Sequence, residues 1–232
     1  MIIANLSKIS KGFFADACRD FKLLKELGYP DNASLKLVGD RYGLSREQRN
    51  CLFRGVVQDS VAARRIRKIV KPADVHGAAL GLDWFNILIT LESYLKGTRL
   101  FLSDDGMVRD CAAVHGSWRK GPVTDRATGE ILAALSDLSP MRIDVMLDSP
   151  IAHSGLMAES LRLELRRSGM AYTVRLERSA DYPLKSYEGI VASSDSAIMD
   201  HASRLLDLPR RILWGCFSFS PPPLSGLFDP DP

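Results

Sequence analysis

No C-x-x-C, H-E-x-x-H, G-x-G-x-x-G, phosphate-binding P-loop or G-x-S-x-G pattern occurs anywhere in the 232 residues. Those absences argue against a zinc knuckle, a zincin, a dinucleotide fingerprint, a P-loop nucleotidase and a serine-hydrolase elbow. The four cysteines, Cys18, Cys51, Cys111 and Cys216, are far apart, which predicts reduced thiols and no disulfide framework. The four histidines, His76, His115, His153 and His201, are equally scattered. No apolar run reaches the roughly 18 residues of a membrane span, so no membrane partner is expected. The N-terminus, MIIANLSKISKGFF, shows no long apolar region with a small-residue cleavage site. A cytoplasmic protein is the expectation.

What is present is an uneven charge. Residues 1–71 carry 15 Lys/Arg and 7 Asp/Glu, a balance of +8, whereas residues 72–232 carry 16 and 21, a balance of −5. A basic module joined to one that gathers carboxylates is the reading. In the first part, Phe13, Phe14, Ala17, Cys18, Phe21, Leu24 and Leu27 keep a 3.6-residue period, ended by Gly28 and Pro30. Asn32 is placed to cap a second helix. Ser45 with Gln48 forms a capping-box pattern opening a long third helix with Leu52, Val56, Val57 and Val61 on one face. Helix, Gly-containing turn and helix is the skeleton of a helix-turn-helix. Arg46, Arg49, Arg54, Arg64, Arg65, Arg67 and Lys68 are then candidate contacts for nucleic-acid phosphates, which need only charge. The blander alternative is a solvated helical face.

After a Pro- and Gly-containing boundary near residues 70–81, short apolar runs alternate with helical stretches, the pattern of an α/β sheet layered between helices. Strands are expected at 79–82, 99–102, within MRIDVML, at 171–176 and at 189–192. Helices are expected at 86–95, 125–138, 154–168 and from Asp195 to about Leu206. A loop is expected through Pro183, and RILWGCF is a candidate last edge strand. The domain division is a basic helical domain over 1–71, an α/β domain over 72–215 and a mobile Pro-rich tail over 216–232.

Several expected strands stop at carboxylates: Asp83, Asp148, Asp195, and Asp104 with Asp105. In an open parallel sheet such ends share one rim, where the active crevice forms. Carboxylates converging there repel one another unless a cation lies between them, and Mg²⁺ or Mn²⁺ takes such oxygen ligands. Metal, carboxylates and a basic arm together suggest phosphodiester hydrolysis. Asp83, Asp148 and Asp195 are the candidate metal ligands, and Asn86 would orient water or substrate. Glu92, Asp104, Asp105, Asp110, Ser154, Ser194 and Asp200 are secondary candidates, with Asp110 alternatively pairing with Arg109. Taken singly, Asp83 and Asp195 also suit helix caps, and Asp148 before Ser149-Pro150 suits a turn.

The segments LDWFNILITLE, FLSDDGMVRD, VMLDSPIAHSG and IVASSDSAIMD resemble the C-terminal domain of an uncharacterised prokaryotic family. That family joins it to a helical domain resembling DNASLKLVGDRYGLSREQRNCLFRGV, so that the likeness spans roughly residues 12–210. More broadly, the acidic domain resembles PIN/NYN-like nucleases, which place an aspartate and a nearby asparagine after the first strand and a Thr/Ser-x-Asp after a late one. Asp83 with Asn86 matches the first and Ser193-Ser194-Asp195 the second, while Asp148 would be the middle acid and Asp200 an outer one. Trp84 stands where that group has small residues, and DDGMVRD has no counterpart there. The resemblance implies a Mg²⁺- or Mn²⁺-dependent nuclease acting on nucleic acid, RNA ahead of DNA. The alternative is a non-catalytic nucleic-acid-binding protein with a degenerate PIN-like domain. Self-association is compatible with either, and an aspartyl phosphotransferase ranks last because no D-x-D stands at Asp83.

Overall fold

In a computed structural model, residues 13–111 and 118–228 are described. Four helices lead: α1 (Phe13–Glu26), α2 (Asp31–Arg41), α3 (Arg46–Gly55) and α4 (Asp59–Ile66). The capping box at Ser45 and Gln48 is present in full. Asn32, expected as a cap, lies inside the first turn of α2, which follows Pro30. The expected long third helix is two helices, because the chain becomes extended at Val56. Gly55 explains the position of the break. A Cβ there would lie 2.6 Å from the Phe101 ring and 2.7 Å from Leu224. Gly55→Ala is therefore expected to overpack this contact and cost about 1–3 kcal/mol, read as a lower urea midpoint with an unchanged slope.

A mixed α/β region follows. Its five-stranded sheet comprises β1 (Ala79–Asp83), β4 (Arg142–Asp148), β5 (Tyr172–Glu177), β6 (Ile190–Ala192) and β7 (Arg204–Leu205), all parallel, in the order β5-β4-β1-β6-β7. Helices α5 (Trp84–Leu95), α6 (Thr124–Leu138), α7 (Ser154–Ser168), α8 (Asp181–Lys185), α9 (Ser196–His201) and α10 (Leu208–Phe217) accompany it. The strand β2 (Leu100–Leu102) instead pairs antiparallel with β3 (Val108–Asp110) in a separate two-stranded ribbon. Asp104 and Asp105 thus sit in the turn of that ribbon rather than at a parallel strand end.

Side chains alternate between the sheet's faces, as the two-residue period requires. Leu80, Leu82, Ile143, Val145, Leu147, Ile190 and Ala192 join the larger core with α5, α6, α7 and α10. Met146, Val191 and Leu205 face the opposite way, onto α8 and α9. The helix α5 is buried on nearly every side, in keeping with an apolar sequence that shows almost no polar stripe. A third core joins α1–α3 to Phe101, Cys111 and Leu224.

Several expectations are corrected here. RILWGCF is helical, within α10: Asp207 caps it by accepting from the Arg210 amide at 3.0 Å, and Pro209 lies in its first turn. The stretch around Pro183 holds the short α8, and the helix after Asp195 ends at His201. The tail is packed as far as it is described, with Leu224 buried among the helices and Pro223 bridged to Leu102. Cys51 and Cys111, expected as separate thiols, lie side by side with Cα atoms 5.3 Å apart, close enough for a disulfide.

Asp207 also accepts from the Val108 amide at 2.8 Å, locking β3 to α10. Burial pushes its carboxyl up to about 6 against these two amides. A folded pKa above the unfolded value of 3.8 means the contribution is complete below pH 3.8 and lost as pH rises through 6. About 3 kcal/mol of stability is expected to disappear across that window. Urea midpoints from pH 4 to pH 7 check this, and Asp207→Asn should flatten the profile.

Candidate functional site

Reading along the sheet, the chain moves outward from β1 through β4 to β5, then returns to the other side of β1 for β6 and β7. The order therefore reverses between β1 and β6. Helix α5 leaves β1 toward one face and α9 leaves β6 toward the other, the switch point at whose carboxyl-end crevice open parallel sheets bind their ligands.

Two strand-end peptides meet there. Asp83, 3 % exposed, ends β1, and its Oδ2 accepts a hydrogen bond from the Ser193 hydroxyl at 2.7 Å. The same Ser193 oxygen accepts from the Asp195 amide at 3.0 Å. Three residues on, in the first turn of α5 past buried Trp84 and Phe85, Asn86 Oδ1 accepts from both the Ser194 amide, at 2.9 Å, and the Ser194 hydroxyl, at 3.0 Å. Four of the sequence candidates, Asp83, Asn86, Ser194 and Asp195, are thus brought together across the switch point. Ser193 joins them; in the sequence it is a member of the Ser193-Ser194-Asp195 motif but not one of the candidate site residues.

Asp195 is the N-cap of α9, as the blander reading had it. Its Oδ1 accepts from the Ala197 amide at 2.8 Å and from the Ile198 amide at 3.2 Å. Both cap bonds end on one oxygen, which leaves Oδ2 for another partner. Asp83 occupies the N-cap position of α5 but makes no side-chain cap bond there. Asp148 ends β4 on the opposite flank of β1, and its Oδ1 accepts from the Ala180 amide at 2.9 Å, holding the loop that precedes α8. Among the described residues no three His, Cys, Asp or Glu side chains are grouped so as to hold one metal ion. Trp84 turns its ring fully into the core, so its bulk does not enter the crevice.

A second layer supports the Ser194 peptide. Arg109, on β3, donates to the Ser194 carbonyl at 3.0 Å and forms a two-armed pair with Asp105 at 2.7 and 2.8 Å. Both are buried, at 2 % and 0 % exposure. Arg109 also bonds the Ser103 hydroxyl. Arg65 of α4 reaches the same Asp105 at 2.9 Å and grips Asp200 with two bonds of 2.8 and 2.9 Å. Burial pushes Asp105 up, yet the two arginines and Ser103 together hold it at about 2. The Arg65 guanidinium lowers Asp200 as well. The helical region is therefore bolted to the back of the crevice by charge pairs.

The remaining candidates have other work. Glu92 is buried and bonds Thr124 at 2.5 Å and Lys96 at 2.6 Å, which ties α5 to α6. Asp104 takes the Val57 amide and Lys22, and Asp110 pairs with Arg54 rather than Arg109. Ser154 donates to the Ser149 carbonyl and closes the loop before α7. Of the seven basic candidates, Arg49 folds back on Asp40 and the Leu44 carbonyl, Arg54 on Asp110, Arg65 on its two aspartates, and Lys68 on the Met199 and Asp200 carbonyls. Arg46, Arg64 and Arg67 are exposed and, among the described residues, make no ion pair.

Comparison with known proteins finds two families. Residues 72–211 match a domain of unknown function (DUF5616), and residues 13–68 match a protein of unknown function (DUF434). An uncharacterized protein of Methanocaldococcus jannaschii, MJ0935, is 32 % identical over 183 residues, covering 79 % of this chain and 87 % of its own. No solved structure matches. No described helix is long and apolar enough to cross a membrane.

Proposed function

The chain belongs to the DUF5616 family, here preceded by a DUF434 segment, and for this two-part protein we propose a metal-dependent phosphodiester hydrolase, a nuclease acting on RNA ahead of DNA. The observation that carries the reading is the Asp83–Ser193–Asp195 link across the switch point between β1 and β6. Open parallel sheets bind ligands at such a crevice. The finer fold reading, a PIN/NYN-like arrangement, belongs to the same proposal. Its support is the reversal of strand order beside β1, with acids after the first and fourth strands of the sheet.

The residues suit a small hard cation. Mg²⁺ is commonly held by one or two carboxylates, keeping its waters for substrate phosphates, so that a protein cage of three acids is not required. Asp83 and Asp195 would hold it, with Asp148 flanking the same rim on β4. Bound there, Mg²⁺ or Mn²⁺ supplies Lewis-acid charge for a phosphate and eases deprotonation of water. Ser193 fixes the Asp83 carboxylate. Asn86 positions the Ser194 peptide and stands at the crevice wall to orient a phosphate oxygen or water. Of the seven basic candidates, Arg46, Arg64 and Arg67 remain for backbone phosphates, and their contribution should fall steeply with salt.

A second reading is a non-catalytic nucleic-acid binder. The amide bonds of Asp148 and Asp195 favour it, since both carboxylates already serve local structure. The distinguishing experiment incubates the full chain with Mn²⁺ and labelled single-stranded RNA and DNA, beside Asp195→Asn. Metal-dependent cleavage lost in the variant supports the hydrolase. Intact substrates with salt-sensitive, metal-independent binding support the binder.

A further inference from the structure

A cavity of about 560 Å³ lies away from the crevice, walled by α10, the C-terminal half of α6 and the segment 69–72. It is large enough for a ligand of mononucleotide size. Three cations line it: Lys71, Arg210 and Arg211. Among the described residues none of their side chains makes an ion pair or hydrogen bond with a carboxylate. Two acids line it as well: Asp207, which spends both oxygens on backbone amides, and Asp137, near Cys216, so the cations stand three to two.

Trp214 adds an aromatic face. It is 66 % exposed at the cavity, while the other tryptophans, Trp84 and Trp118, are 0 % and 3 % exposed. Helix α10 turns Leu208, Ile212 and Leu213 into the core, so its fold does not require an indole on the outer side. An indole plane beside unspent guanidinium and ammonium groups is the chemistry that holds a flat base by stacking and its phosphate by charge.

We propose that this cavity binds a nucleoside phosphate, with the base on Trp214 and the phosphate among Lys71, Arg210 and Arg211. The source is either a free mononucleotide or the terminal nucleotide of a strand. The site does not depend on the hydrolase reading, and it is tested without metal.

The experiment is isothermal titration calorimetry on the full chain in EDTA. The probes are the four ribonucleoside 5′-monophosphates, the corresponding nucleosides, inorganic phosphate and a 5′-phosphorylated single-stranded oligonucleotide. At least one monophosphate or the oligonucleotide is expected to bind at one site, more tightly than nucleoside or phosphate alone. Trp214→Ala is expected to weaken it roughly tenfold or more, Trp214→Phe less so, and the Arg210→Ala/Arg211→Ala double variant at least as much as Trp214→Ala. Tighter binding of the monophosphate identifies a free nucleotide, and tighter binding of the oligonucleotide identifies a strand end. The proposal is overturned by absence of binding to every probe at millimolar concentration, by phosphate binding as tightly as any nucleotide, or by unchanged affinity in Trp214→Ala. Circular dichroism confirms that the variants, all at surface positions, keep the fold.

Discussion

Asp195→Asn is expected to lower Mn²⁺-dependent cleavage of single-stranded RNA by roughly 10²–10³-fold while leaving the melting temperature nearly unchanged. The two halves of this expectation have separate causes. Asparagine is as good an N-cap as aspartate, so the bonds from the Ala197 and Ile198 amides survive. What disappears is the negative charge that would hold a cation. Asp195→Ala would remove both and cost about 1 kcal/mol of stability besides. Ser193→Ala is a graded companion: it keeps both carboxylates but frees the Asp83 carboxylate from its hydroxyl, and outer supports of this kind are worth roughly 10–100-fold. Equal activity in all three variants would remove the crevice from the chemistry.

The second large effect is structural. Arg109→Met is expected to cost about 3–5 kcal/mol, because it strands the Asp105 carboxylate in a fully buried site and leaves the Ser194 carbonyl without its donor. Arg65 still pairs with Asp105, which favours the lower end. The carboxylate supplies its own control. A folded pKa of about 2 against an unfolded 3.8 means that the stabilisation is present above pH 3.8 and lost as pH falls through 2. The difference between wild type and Arg109→Met in urea should therefore shrink toward pH 2. Replacing Asp105 and Arg109 together by apolar residues should recover much of the loss, since an unpaired buried charge costs more than an absent pair.

Much of the α/β region was legible because its signals are local. Strand ends at Asp83 and Asp148, the helix from Ser154 to Ser168, and its glycine stop at Gly169 follow from short apolar runs and caps. The failures came where a local pattern had two readings. RILWGCF is apolar enough for a strand, yet Asp207 and Pro209 ahead of it are helix-start signals, and they decide the outcome. Val56 and Val57 sit at helical spacing, but the contact of Gly55 with Phe101 and Leu224, both distant in sequence, fixes the break.

The site was half legible for the same reason. Asp83, Asn86 and Asp195 carry a strand-end pattern, whereas the roles of Ser193, Arg109 and Arg65 depend on which strands become neighbours. Arg65 reads as one member of a basic run, and only its position 40 residues from Asp105 and 135 from Asp200 in the chain, yet bonded to both, shows it to be an internal fastener. The meeting of Cys51 and Cys111, 60 residues apart, is hidden from the sequence in the same way.

The most direct measurement is calorimetric titration of the purified full chain with Mn²⁺, in parallel with Asp83→Asn and Asp195→Asn. One ion bound by the wild type, with affinity reduced at least tenfold in each variant while folding is retained, is the expected result. Wild-type protein that takes no Mn²⁺, or variants that take it as well as wild type, would contradict a cation held between the ends of β1 and β6.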